Sequence, residues 1–97
     1  MEHKMIGDVF WADLSPTVGE ELGGIRKVVI IKDSGDVVTV VPTTMLDYVG
    51  IRLPDWSFPV VSQVKTISKE RLREYDYHLN DVDFGELQNA LREHLFM

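Results

Sequence analysis

Apolar residues in this chain fall in short runs separated by clusters of glycine, proline, aspartate and serine, the pattern of a protein built mostly from short strands. Ile6-Gly7-Asp8-Val9-Phe10-Trp11-Ala12-Asp13-Leu14 is rich in β-formers and apolar on both faces, which predicts a core strand; Ser15-Pro16 ends it. Thr17 to Gly24 is a long loop, and Lys27 to Lys32 forms a second strand with Arg26 as its first residue. Asp33-Ser34-Gly35-Asp36 is a turn signal followed at once by Val37-Val38-Thr39-Val40-Val41, so the second and third strands form a hairpin, the latter ended by Pro42-Thr43-Thr44. Met45 to Trp56 is weakly patterned, with room for one short strand around Ile51-Arg52-Leu53. Ser57 to Val61 carries a proline that suits an edge or bulged strand. Gln63-Val64-Lys65-Thr66-Ile67 alternates as a half-buried strand does, placing Gln63 and Lys65 on one face.

Ser68 can cap a single helical turn at Lys69 to Leu72, and Tyr75 to Leu79 reads as a last strand. Asn80 or Asp81 then starts the one clear helix: Phe84, Leu87, Leu91 and Leu95 share a face, and acidic residues sit near its positive end. Together these elements predict an α+β fold, a small, strongly bent antiparallel sheet of SH3-like barrel form with a short helical turn and a C-terminal helix.

Composition adds bounds. The 97 residues suit a single domain over 1–97, and 44% apolar with 27% charged residues are ordinary values for a globular chain. No run approaches the ~20 apolar residues of a membrane span, and Met1 to Ile6 has no signal-like apolar region, so a cytoplasmic location is expected. Cysteine is absent, which excludes disulfides and thiolate metal sites, and the three histidines are scattered without ligand spacing, so no zinc site is expected. A formal charge of −6 opposes broad, non-specific nucleic-acid binding but leaves room for a small cationic pocket built from Arg26, Lys27, Arg52 and Lys65.

The stretch with chemistry in it is Gly19-Glu20-Glu21-Leu22-Gly23-Gly24-Ile25-Arg26, where glycines allow close backbone approach and an arginine projects from the start of a rigid strand. Antiparallel pairing about the Asp33 to Asp36 turn sets the start of the second strand opposite the end of the third, which brings Arg26 near Thr43. Thr43 and Thr44 suit either a ligand or a turn hydrogen bond, and Gln63 with Lys65 either a ligand-facing or a merely wetted surface.

At this point several separated motifs resemble one family. Gly7 through Glu21 with Gly23-Gly24-Ile25-Arg26, then Val40-Val41-Pro42-Thr43-Thr44, then Gln63 through Leu72, and finally Leu79-Asn80-Asp81 to Leu95 resemble, in order, the motifs and terminal helix of the MazF/PemK toxins, endoribonucleases of bacterial toxin-antitoxin pairs. The resemblance implies a MazF/CcdB-like fold and cofactor-independent cleavage of single-stranded RNA. It places the family's essential arginine on Arg26, its threonine on Thr43, an acidic residue used by some members on Glu21, and an RNA-contacting glutamine on Gln63. Thr44, Lys65 and Lys27 are expected to contact substrate beside them. It further implies a homodimer, a cognate antitoxin and no membrane.

These residue types suit a reaction in which the RNA's own 2′-OH attacks the adjacent phosphate. Arg26 would stabilise the crowded phosphorane, Thr43 would donate to the phosphate, and Glu21 would either take the 2′-OH proton or hold Arg26. The chain departs from the family's usual pattern at Lys27, commonly proline, at Ser62, commonly acidic, and in a shortened segment between Thr44 and Gln63. The alternative is a non-catalytic toxin or interaction module on the same fold, similar to the gyrase poisons, which lack the arginine–threonine pair.

Overall fold

The structure, a computed structural model, describes residues 5–19, 21–46 and 50–96. Its strands are β1 (Asp8–Asp13), β2 (Ile25–Asp33), β3 (Val37–Thr44), β4 (Phe58–Pro59), β5 (Lys65–Ser68) and β6 (Leu72–His78), followed by helix α1 (Asp81–Phe96). All pair antiparallel into one six-stranded sheet in the order β4-β3-β2-β1-β6, with β5 on the edge of β3 away from β2. Register shifts interrupt the β2/β3 ladder between Ile30 and Lys32 and the β1/β6 ladder on either side of Phe10. Such bulges bend a strand and raise its twist, so the sheet curls in the barrel-like manner expected, although its path does not close among the described residues.

The curl explains why β1, β2 and β3 are apolar on both faces. Phe10, Ala12, Val28, Ile30, Val38 and Val40 line the concave side, with Leu14 and Ile67. The alternate residues Val9, Val29 and Val41 face the other way, onto Leu87 and Leu91 of α1 and onto Leu53 and Leu79. Both faces are buried, which a one-sided sheet of this length does not need. Asn80 caps α1: its side-chain oxygen accepts from the Asp83 amide at 2.8 Å, and its amide nitrogen donates to the Asp83 carboxylate at 2.9 Å.

Three local expectations change. Pro42 does not end the third strand: β3 continues through Thr44. The Pro42 carbonyl accepts from the Val60 amide on the edge away from β2, so its missing N–H faces the gap between β5 and β4, where no ladder bond is lost. Residues 61–63 form a 3₁₀ turn, so β5 begins only at Lys65 and Gln63 is not on a strand with it. Ile51-Arg52-Leu53 is not a strand; Leu53 is instead buried under a turn closed by the Leu53 amide on the Ser57 carbonyl, and Asp47 to Val49 lie outside the described residues. The turn over Lys69–Arg71 is present, with the Ser68 hydroxyl accepting from the Glu70 amide.

Candidate active site

The β2/β3 ladder stops at Val28 and Pro42, and side chains continue it. One residue further out, the Thr43 hydroxyl donates to the Lys27 carbonyl at 2.8 Å, and Arg26 Nη1 donates to the Thr43 carbonyl at 2.8 Å. Arg26 Nε reaches back to the Gly23 carbonyl at 3.0 Å. Two main-chain oxygens thus hold the guanidinium through Nε and Nη1, leaving Nη2 and the second hydrogen of Nη1 for a ligand. Arg26 and Thr43 line a cleft of about 330 Å³ with Trp11, Ile25, Lys27, Thr44, Met45 and Leu46.

The loop before Arg26 is shaped for this clamp. A Cβ on Gly23 would meet the Thr17 hydroxyl at 2.6 Å, and Gly24 has φ +72°, so both positions call for glycine. The loop is tied down from three sides. The Leu22 amide donates to Gln63 Oε1 at 3.3 Å, the Gly24 amide to the Ser15 hydroxyl at 3.1 Å, and Arg71 Nη1 to the Asp13 and Ser15 carbonyls.

The residues singled out from the sequence therefore divide. Arg26 and Thr43 come together as the hairpin requires, but through the Thr43 carbonyl. Thr43 is only 3% exposed and its hydroxyl proton is spent on Lys27, so the hydroxyl presents lone pairs, and the expectation that it donates to a phosphate is corrected to that of an acceptor. Thr44 lines the cleft, its oxygen accepting from the Leu46 amide at 3.2 Å. Glu21 is exposed and accepts from the Val18 amide at 2.9 Å; it makes no ion pair with Arg26 and does not line the cleft, so it does not hold the guanidinium. Gln63 braces the loop and stands outside the cleft, as does Lys65, which opens β5 opposite Val40.

Lys27 does not contribute a free charge. Its amine contacts Asp76 at 2.8 Å and Asp55 at 3.1 Å and lies over the Trp11 ring, 5.3 Å from its centre. Burial draws the amine's pKa down, but the two carboxylates outweigh it and raise it above the ordinary lysine value. Burial likewise pushes the Asp55 carboxyl up, while the Ser57 hydroxyl and amide and the Lys27 amine bring it below the usual carboxylate range. Arg52 stacks on Trp56 at 4.1 Å, so the expected gathering of four cations gives way to a cleft whose positive charge rests on Arg26. Sequence reasoning missed Trp11 as a cleft wall, because β1 reads as apolar on both faces, and missed Ile25, which opens β2 beside Arg26; it also missed Asp55 and Asp76, which carry no local motif.

Residues 6–95 match the family described as "PemK-like, MazF-like toxin of type II toxin-antitoxin system". The chain is 34% identical to the "Endoribonuclease MazF" of Staphylococcus saprophyticus over 104 aligned positions, spanning 88% of this chain and 85% of that protein. The fold is similar to that of a crystal structure of MazF from Deinococcus radiodurans, with a TM-score of 0.83 at 18% identity and 94% of each chain covered. It is also similar to an endoribonuclease in complex with its cognate antitoxin from a mycobacterial species, with a TM-score of 0.75 at 19% identity, covering 98% of this chain and 95% of that one.

Proposed function

This chain belongs to the PemK-like, MazF-like toxin family, and from that premise we propose that it is an endoribonuclease that cuts single-stranded RNA at the Arg26–Thr43 cleft without a cofactor. The observation that carries the reading is a guanidinium held by the Gly23 and Thr43 carbonyls in a residue that lines an open cleft, its remaining N–H groups without a partner among the described residues. Donors fixed in advance at the place where negative charge develops are the largest single source of rate enhancement in reactions of this kind.

In the proposed step the 2′-oxygen gives up its proton and forms a bond to phosphorus, the P–O5′ bond breaks, and the departing 5′-oxygen takes a proton from solvent water, so the products are a 2′,3′-cyclic phosphate and a 5′-hydroxyl. Arg26 binds two non-bridging oxygens and stabilises the phosphorane. The Thr43 hydroxyl oxygen, with its own proton on the Lys27 carbonyl, accepts from a water that in turn receives the 2′-OH proton. That water passes a proton on to Glu21, whose carboxylate lies outside the cleft. The Thr44 hydroxyl supplies a neutral contact to substrate in the cleft, and the Gln63 side-chain amide N–H groups supply one beyond it. Lys27 shapes the wall through Trp11, and Lys65 meets only an RNA longer than the cleft.

Residues 1–97 act in this reading as one unit, as a homodimer in the cytoplasm, neutralised by a cognate antitoxin. Exposed Leu95 and Phe96 beside Ile31 and Phe84 support association of two copies. No helix among the described residues is long and apolar enough to cross a membrane. Incubation of the purified protein with mixed-sequence RNA in EDTA tests the activity. Cleavage that persists under chelation and disappears in Arg26→Ala supports the enzyme. Intact RNA with the wild-type protein contradicts it and favours the non-catalytic alternative.

A further inference from the structure

Trp11 is 37% and Ile25 64% exposed, and both stand at the boundary between the Arg26–Thr43 cleft and a second cavity of about 420 Å³ whose far wall is Arg73 and Glu74. The two hollows thus form one trough crossing β2, β1 and β6, the order in which these strands lie in the sheet. We propose that the second cavity is a nucleotide subsite, in which the base next to the scissile linkage of single-stranded RNA stacks on Trp11 and its outer phosphate meets Arg73. This deepens the endoribonuclease reading and rests on it.

Three features converge on that occupant. An exposed indole offers a flat apolar surface on which any base can stack, the usual way proteins hold single strands. The ring is fixed from within, since the Lys27 amine over it is itself held by Asp55 and Asp76; the lysine that stands where proline is common in the family acts here as a positioning residue. Arg73 is a second cation on the trough: its side chain is 55% exposed and only loosely paired with Asp13, at 3.4 Å, a contact weak enough to exchange for a phosphate. Glu74 on the same wall repels a further phosphate but accepts from an exocyclic amine, so adenine, cytosine or guanine is preferred over uracil.

The test is steady-state cleavage of oligoribonucleotides over a range of salt concentrations, with sedimentation of each protein in parallel. Arg73→Ala raises KM roughly tenfold, leaves kcat within about twofold because no reacting atom is touched, and lowers the slope of log affinity against log salt by about 0.7, the value for one phosphate contact on a single strand. Arg73→Lys restores the slope. Trp11→Leu raises KM by roughly tenfold or more. In Trp56→Phe, which leaves Trp11 as the sole tryptophan, fluorescence is quenched on adding RNA. Wild-type KM and salt slope in Arg73→Ala, while the wild-type protein cuts RNA, overturn the subsite and leave the nuclease reading intact. A KM that rises only in step with loss of dimer assigns the surface to a protein contact and also overturns it. If the wild-type protein cuts no RNA, both readings fall together.

Discussion

Arg26 owes its usefulness to being tied down. A free arginine at the start of a strand would spend conformational entropy on binding a phosphate, whereas this one has already given Nε and Nη1 to the Gly23 and Thr43 carbonyls. Lysine in its place keeps the charge but has neither the planar fork nor the reach to satisfy two carbonyls and a phosphate together. We expect Arg26→Lys to lose roughly 10²- to 10³-fold in kcat, close to the loss in Arg26→Ala, with little change in KM, as measured by single-turnover RNA cleavage. Thr43→Val tests the other member. It leaves the Lys27 carbonyl without its hydroxyl donor, so it costs about 1–3 kcal/mol of stability by urea unfolding as well as activity. Thr43→Ser retains both. Equal behaviour of the valine and serine variants would remove Thr43 from the account. The proximity of Arg26 and Thr43 was legible in the sequence because the Asp33 to Asp36 turn sets the hairpin and hence the pairing. The direction of the Thr43 hydroxyl was not, since it depends on the ladder stopping one residue earlier, at Val28 and Pro42.

The elements around the cleft are joined by charge as well as by packing. Lys27 on β2 gathers Asp76 from β6 and Asp55 from the turn before β4, three segments with no sequence relation. Patterning could not reveal this group, because each residue alone reads as a solvated charge. The lowered Asp55 pKa gives a signed prediction. A carboxyl depressed in the folded state contributes stability that is present above its unfolded value of about 3.9 and is lost as pH falls through the lower folded value. Below about pH 4 the wild-type protein therefore loses stability more steeply than Asp55→Asn, as chemical unfolding across an acid pH series will report. Parallel curves for the two proteins would exclude the contribution. Lys27 works in the opposite sense: its raised pKa keeps its share below about pH 10.4, lost only in stronger base. Helix α1 was legible from its apolar spacing and its acidic start, and Gly85 within it is open: a Cβ there meets nothing within 4 Å. Gly85→Ala stabilises the protein by about 0.5–1 kcal/mol and raises Tm by a few degrees, on the order of 4–8 °C per kcal/mol, without affecting cleavage. An unchanged or lower Tm contradicts that reading of the helix.

At the scale of the whole molecule, a chain of net charge −6 carries a site for a polyanion, and the geometry reconciles the two. Asp55, Asp76, Asp33 and Asp13 pair with Lys27, Lys69 and Arg73, while Arg26 is anchored by carbonyls and keeps its charge for the cleft. The α+β class, the hairpin and the terminal helix could all be read from periodicity and turn residues. The curl of the sheet, the 3₁₀ turn that moved Gln63 off its strand, and the trough over Trp11 could not, since they arise from bulges and from contacts between distant segments. We propose that the cleft grips a phosphodiester while the neighbouring 2′-OH attacks it, and the decisive experiment maps a cut site in an oligoribonucleotide and replaces the single ribose 5′ to that linkage with 2′-deoxyribose. This one change is expected to abolish cleavage at that position, while the unmodified strand yields a 2′,3′-cyclic phosphate and a 5′-hydroxyl. Cleavage of the deoxy-substituted strand at the normal rate would contradict it.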